Sequence, residues 1–176
     1  MRIISGKYKG KRIVAPKNLP VRPTTDFAKE GLFNILGNRL EIEGASIMDL
    51  CAGTGNMSLE FASRGASSVI AVDDHPGCIK FINRMAQEME FNCISTIRSE
   101  LFKFIKKLVG NYDIIFADPP YGIHNTEKLP DLILEKNVLN EDGFLILEHS
   151  ADYNFEKHPH FSFSRRYGNV NFTFFQ

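Results

Sequence analysis

A chain of 176 residues with 43% hydrophobic side chains is long enough to bury one core of ordinary size, so a single main domain is expected. Its 21 basic residues balance its 21 acidic ones, which excludes recognition of a polyanion through net charge and leaves only the distribution of charge to be read. Three cysteines at unrelated spacings, Cys51, Cys78 and Cys93, exclude a disulfide framework or a CxxC metal pair; with no secretory stretch at the start and no bilayer-length apolar run, the cytoplasm is the expected location.

Residues 1–25 mix β-branched and basic residues with Gly6, Gly10, Pro16, Pro20 and Pro23, and read as a short hairpin followed by an extended loop. Every charged side chain before Asp26 is basic (Arg2, Lys7, Lys9, Lys11, Arg12, Lys17, Arg22). Such a segment suits phosphate contact by Lys7, Lys9, Lys11 and Arg12, with Arg22 nearer the target; the alternative is a solvated edge whose lysines prevent aggregation. Tyr8 among the lysines and the absence of acids favour nucleic acid. We therefore divide the chain into a basic N-terminal extension, 1–25, and a main domain, 26–176.

From Asp26, apolar residues at Phe27, Leu32, Phe33, Ile35, Leu36 and Leu40 recur at helical spacing, with Thr25 or Asp26 available as a cap. After Gly44, short apolar runs alternate with amphipathic stretches: Ser46–Leu50, 57–64, Val69–Val72, 77–90, Ile94–Ile97, 100–109, Ile114–Ala117, 127–136 and Phe144–Leu147. That alternation predicts βαβ units, an α/β fold whose mostly parallel sheet carries helices on both faces. Phe161, Phe163, Phe172, Phe174 and Phe175 around Tyr167-Gly168-Asn169 predict a closing hairpin, its phenylalanines in the core.

Ligands of open α/β sheets bind beyond the carboxyl ends of the strands. After the first strand, Asp49-Leu50-Cys51-Ala52-Gly53-Thr54-Gly55 carries two glycines that let backbone approach a ligand closely. Asp73 ends the next strand where a ribose-binding carboxylate stands in nucleotide-binding folds. A dinucleotide fingerprint requires a third glycine at position 58, where this chain has Ser58, and Asp49 favours a cationic ligand such as S-adenosylmethionine. Glu100 follows the third strand and is read either as the partner of an adenine amine or as a first-turn acid favoured by the helix dipole.

After the fourth strand comes Asp118-Pro119-Pro120-Tyr121. Two prolines remove two backbone donors and stiffen the chain, leaving a rim of acceptors beside an aromatic ring. Such a rim accepts the hydrogens of an exocyclic amine and turns its lone pair toward a methyl donor while the ring stacks on the base. None of the cysteines stands in a Pro-Cys setting, so a covalent nucleophile is not expected, and His158-Pro159-His160 lacks the further ligands of a metal site.

The chain resembles the RsmD-type guanine-N2 methyltransferases of small-subunit (16S) ribosomal RNA, within the class I S-adenosylmethionine-dependent fold. The resemblance runs nearly full length through Arg2-Ile-Ile-Ser-Gly-Lys-Tyr-Lys-Gly-Lys11, Val21-Arg-Pro-Thr-Thr-Asp26, Lys29-Glu30, Leu32-Phe-Asn-Ile-Leu36, Asp49-Leu-Cys-Ala-Gly-Thr-Gly55, Ser63-Arg-Gly-Ala66, Asp118-Pro-Pro-Tyr121 and Tyr167-Gly168. It implies a Rossmann-like, seven-stranded sheet with an antiparallel last strand, an RNA-contacting N-terminal hairpin, and methylation of a guanine N2 in ribosomal RNA, alone or within a 30S subunit or assembly intermediate. Three positions depart from the family pattern: Cys51 where phenylalanine is usual, Asp73 where glutamate is common, and Glu100 where aspartate usually meets the adenine. The runner-up is an amino methyltransferase acting on adenine N6 or a protein glutamine, although those relatives usually carry Asn where this chain has Asp118.

Overall fold

The computed structural model describes residues 1–19, 24–120 and 122–176. Arg22 and Tyr121, two of the site residues named above, lie outside them. Thr25 caps α1 (Asp26–Gly37) by accepting the Ala28 N–H at 3.2 Å, and Ala28, Leu32, Phe33 and Leu36 turn one stripe of the helix into the core. The chain then alternates as its apolar runs predict: β1 (Ser46–Leu50), α2 (Asn56–Ser63), β2 (Ser68–Asp73), α3 (Pro76–Glu88), β3 (Ile94–Arg98), α4 (Leu101–Lys106), β4 (Tyr112–Ala117), a 3-10 turn with α5 (Leu129–Leu134), β5 (Leu139–His149), β6 (Phe161–Tyr167) and β7 (Val170–Phe175).

These strands form one seven-stranded sheet in the order β3-β2-β1-β4-β5-β7-β6. The first five pair in parallel; β7 runs antiparallel to both β5 and β6. The order reverses at β1, so the loops after β1 and β4 open side by side at the carboxyl edge, where a doubly wound sheet offers its crevice. One apolar layer joins the hairpin residues Ile3 and Ile13 to α1, α2 and α3; the other packs Leu101, Ile105, Leu129 and Ile133 against the opposite face. β5 begins earlier than its apolar run indicates. Leu139 pairs with Tyr112 before the register shifts to Phe144–Ile114, and the intervening Asn140, Glu141 and Asp142 are exposed, so nothing in their composition marks a strand.

Residues 1–13 form a minimal hairpin with one antiparallel bridge, Arg2–Arg12, and they are bound to the domain by buried polar contacts. Lys29 on α1 and Glu60 on α2 have fully buried side chains 3.2 Å apart. The Lys29 ammonium also donates to the Arg2 carbonyl at 2.6 Å and to Asn56 Oδ1 at 2.9 Å. Glu60 accepts the N–H groups of Ile4 (2.8 Å) and Ser5 (3.0 Å) and the Arg64 guanidinium (2.8 Å). A buried ion pair survives only when its remaining donors and acceptors are satisfied, and here each ammonium hydrogen and both carboxylate oxygens have partners.

Gly31 lies mid-helix, a position that costs about 1 kcal/mol relative to alanine. The sheet explains it: a Cβ at Gly31 would stand 2.2 Å from the ring of Tyr167, so glycine lets the β6–β7 hairpin close onto α1.

Candidate active site

The loops after β1 to β5, the start of α1 and the β6–β7 turn enclose a cleft of about 870 Å³. Asp49, Cys51, Gly53, Asp73, Glu100, Asp118, Pro119 and Pro120 all line it, although 71 positions separate the first from the last. Gly55, between the lining residues Thr54 and Asn56, is the N-cap of α2 with φ of 71°, and a Cβ there would meet the Ile82 side chain at 2.8 Å. Gly53 has φ of 55°, so both glycines of the loop hold the left-handed conformation that other residues adopt at a cost.

Asp49 is buried beneath this loop, where it accepts both the backbone N–H (3.0 Å) and the hydroxyl of Ser58. Serine at position 58, which spoils a dinucleotide fingerprint, is thus the residue that orients the acid. Burial pushes the Asp49 carboxyl up to about 7, the charge of Asp73 adds to the shift, and the Ser58 hydrogen bonds oppose it. Asp73 ties two loops together, accepting the Gly53 N–H at 2.8 Å on one oxygen and the His75 N–H at 2.9 Å on the other. Each oxygen keeps a second lone pair for a ligand hydroxyl.

Glu100 stands at the start of α4, as its reading as a helix-start acid expects. It caps α4, its two oxygens accepting from Phe102 and Lys103 at 2.9 Å each, and it lines the cleft. Cys51 adopts φ of 62° beside the acids, and burial first, then Asp118, raises its thiol well above the ordinary range; it holds no thiolate to act as a nucleophile.

Beside the glycine loop, the Asp118 N–H bonds to the Leu50 carbonyl at 3.2 Å, which fixes the end of β4 against the end of β1. Burial pushes the Asp118 carboxyl well above the usual carboxylate range, and Glu148 and Asp49 push in the same direction. Glu148 is absent from the sequence reading. It ends the apolar run Phe144–Leu147, and Ala117 pairs with Leu147, so Asp118 and Glu148 follow in register on adjacent parallel strands. Burial raises the Glu148 carboxyl to about 7, and Thr24 donates a 3.0 Å hydrogen bond to its Oε2. An acid closing an apolar strand was the available signal, the same signal that marks Asp118.

Phe27 is 68% exposed at the cleft lip, edge-on to Tyr167 with centroids 5.7 Å apart. The lysines lie elsewhere. The Lys7 N–H bonds to the carbonyl of Ser63, the last residue of α2, so the hairpin tip sits one eight-residue helix, about 12 Å, from the glycine loop. Lys9, Lys11 and Arg12 are exposed, Lys7 approaches Glu90 at 3.8 Å, and Tyr8 packs edge-on against Phe91 with the Lys7 and Lys11 ammonium groups 5.2 and 5.1 Å from its ring centre.

The sequence pattern of the family described as Conserved hypothetical protein 95 matches residues 1–176. The chain belongs to this family. Its relatives include "Ribosomal RNA small subunit methyltransferase D" of Buchnera aphidicola subsp. Baizongia pistaciae, 30% identical over 154 residues that cover 88% of this chain and 78% of the relative. The protein of the same name from Escherichia coli (strain K12) is 28% identical over 153 residues, 86% of this chain and 76% of its own. It is thus the RsmD-type methyltransferase family that the motifs resemble. Solved structures agree on the fold: the yhhF protein of Escherichia coli superposes with a TM-score of 0.88 at 22% identity, over 100% of this chain and 97% of that one. Thermus protein TTHA0928 superposes at 0.86 and 22% identity, over 100% and 99% of the two chains. In this family member, Asp49, Cys51, Gly53, Asp73, Glu100, Asp118, Pro119 and Pro120 line one cleft, and Gly55 is not among the lining residues.

Proposed function

We propose that the protein transfers a methyl group from S-adenosylmethionine to the exocyclic N2 of a guanine in small-subunit ribosomal RNA. The observation that carries this reading is the placement of the Asp118-Pro119-Pro120 rim beside the Asp49 glycine loop in one cleft. The residues present suit the cofactor: Asp49 is a buried acid for a cationic group, Asp73 offers lone pairs to ribose hydroxyls, and Glu100 and Ser99 line the side where a purine amine would lie. When bound, the cofactor supplies a methyl carbon made electrophilic by its sulfonium.

The chain's own work is positioning, which accounts for roughly 7 to 11 kcal/mol of barrier in well-oriented reactions. Asp118 accepts an N–H of the amine, turns the nitrogen lone pair toward the glycine loop, and stabilises the positive charge that develops on nitrogen. The departing proton passes to the Asp118–Glu148 pair, whose affinity for protons is raised by burial and mutual repulsion, and from there to water. Lys7, Lys9, Lys11 and Arg12, with Arg22, contact phosphates flanking the target, and the enzyme works in the cytoplasm on ribosomal RNA or an assembling 30S subunit. No helix among the described residues is long and apolar enough to cross a membrane.

The test is transfer of labelled methyl from S-adenosylmethionine to ribosomal RNA and to 30S particles lacking the modification, with nucleoside analysis of the product. N2-methylguanosine is the expected product. Label in N6-methyladenosine or in protein glutamine would replace the reading with the corresponding amino methyltransferase.

Cofactor binding is expected to depend on pH through Asp49. A cationic ligand favours the ionised carboxyl, but the free protein holds a proton there below about 7. Affinity therefore falls as pH drops through 7, approaching about tenfold per pH unit, and levels off above it. Calorimetric titration at a series of pH values checks this, and a flat profile in the parent protein would remove Asp49 from the cofactor site. Replacing Lys7, Lys9 and Lys11 together by alanine is expected to weaken RNA binding and to reduce the slope of log affinity against log salt by about 2 to 3, since three phosphate contacts release roughly 0.7 to 0.9 counterions each. An unchanged slope in filter binding would assign those lysines to solubility alone.

A further inference from the structure

We infer that Glu148 is a specificity-determining residue that reads the N1–H of the target guanine beside Asp118, and so selects guanine against adenine. This inference rests on the proposed N2 chemistry and deepens it. In-register neighbours on parallel strands project to the same face, with about 4.8 Å between the strands, so the carboxyls that follow Ala117 and Leu147 sit side by side on one wall of the cleft. Among the described residues, the donor to either side chain is Thr24, which occupies Oε2 of Glu148 and leaves Oε1 and the Asp118 oxygens without a protein donor beside the cleft that both residues line. With both carboxyls ionised, the wall is two adjacent acceptors and matches an edge with two adjacent donors.

Guanine has that edge: its N1–H and the N2 amine stand next to each other. Adenine sets a lone pair at N1 beside its amine, and against Glu148 that lone pair would meet another. Sites built to hydrogen-bond one group reject analogues lacking it, because the buried partner is left unsatisfied. Thr24 fixes the reader from behind. Its hydroxyl holds Glu148, while its carbonyl accepts Asn56 Nδ2 at 3.1 Å, and Asn56 in turn accepts from Lys29, so the acid is braced from α1 and α2 and cannot turn away.

The experiment compares two substrates that differ at N1. The guanine labelled by the parent enzyme is placed in RNA, naked or in a reconstituted 30S particle, either as guanosine or as 2-aminopurine riboside, which keeps the C2 amine but carries a lone pair at N1. The parent enzyme is expected to favour guanine in kcat/KM by about 100-fold or more. Glu148→Gln, whose amide can donate to that lone pair, is expected to bring the ratio below about tenfold while binding S-adenosylmethionine as the parent does. Loss of O6 in the analogue is common to both enzymes and cancels in the comparison. Should Glu148→Gln fail to bind cofactor, Thr24→Val, which frees Glu148 from its brace, is used in its place and is expected to lower the ratio in the same direction. Equal slowing on both substrates with the ratio unchanged would overturn the role of Glu148 and leave guanine-N2 methylation standing. Failure of the parent enzyme to label any guanine N2 would instead overturn the underlying reading, and this inference with it.

Discussion

Replacing Asp118 with alanine is expected to lower kcat by about 100- to 1,000-fold, the loss of about 2.7 to 4 kcal/mol that accompanies removal of one preorganised group stabilising a transition state. S-adenosylmethionine affinity should remain within about twofold of the parent value, because the bond that Asp118 makes to the glycine-loop strand among the described residues is from its backbone N–H to the Leu50 carbonyl, which alanine retains. Asp118→Asn keeps one carbonyl acceptor and adds two donors where the amine itself must donate, so it falls between the parent and the alanine variant. Rapid-quench measurement of a single turnover separates chemistry from binding. A normal rate in Asp118→Ala would transfer the role to another residue.

The second large effect concerns stability. Lys29→Ala is expected to destabilise the fold by about 3 to 5 kcal/mol, because it leaves the Glu60 carboxylate buried without its fully buried cation on α1. Apolar replacement of both partners, often harmless for buried pairs, offers no escape here: Glu60 also accepts the Ile4 and Ser5 N–H groups, and those donors would be stranded. Urea unfolding of Lys29→Ala, of Glu60→Leu and of the double variant measures this. A cost below about 1 kcal/mol for Lys29→Ala would mean that Arg64, 2.8 Å from the same carboxylate, carries the pair alone.

β2, β4 and the second half of β5 were legible because they are largely buried and read as short apolar runs, and the strand-end motifs were legible because glycine, proline and isolated acids stand out against such runs. Residue type misled where the environment inverted it. Phe27 fits the helical stripe but is exposed at the cleft lip, whereas Lys29, a surface residue by type, is fully buried because Glu60 and two oxygen acceptors await it from segments distant in sequence. Helical periodicity reports which side of α1 a residue occupies; it carries no information about what lies across from that side. Glu148 escaped for a related reason: the acid becomes notable only once β5 is known to lie beside β4, a pairing between residues about thirty positions apart. Gly31 shows the same limit, its purpose supplied by Tyr167 from the far end of the chain.

The position of β7 between β5 and β6 shapes how the protein can be made. Five strands can add to the sheet as alternating βα units leave the ribosome, but β6 has no edge to join until the strand after it exists. The β6–β7 hairpin must therefore enter as a unit, carrying Phe172, Phe174 and Phe175 into layers that are otherwise open to solvent. Until then the outer edge of β5, with Leu145, Ile146 and Leu147, is an unpaired apolar strand, the kind of surface that recruits a chaperone or another nascent chain. A nascent chain arrested before Val170 should thus be captured by a holdase, while one carrying the finished hairpin should be released.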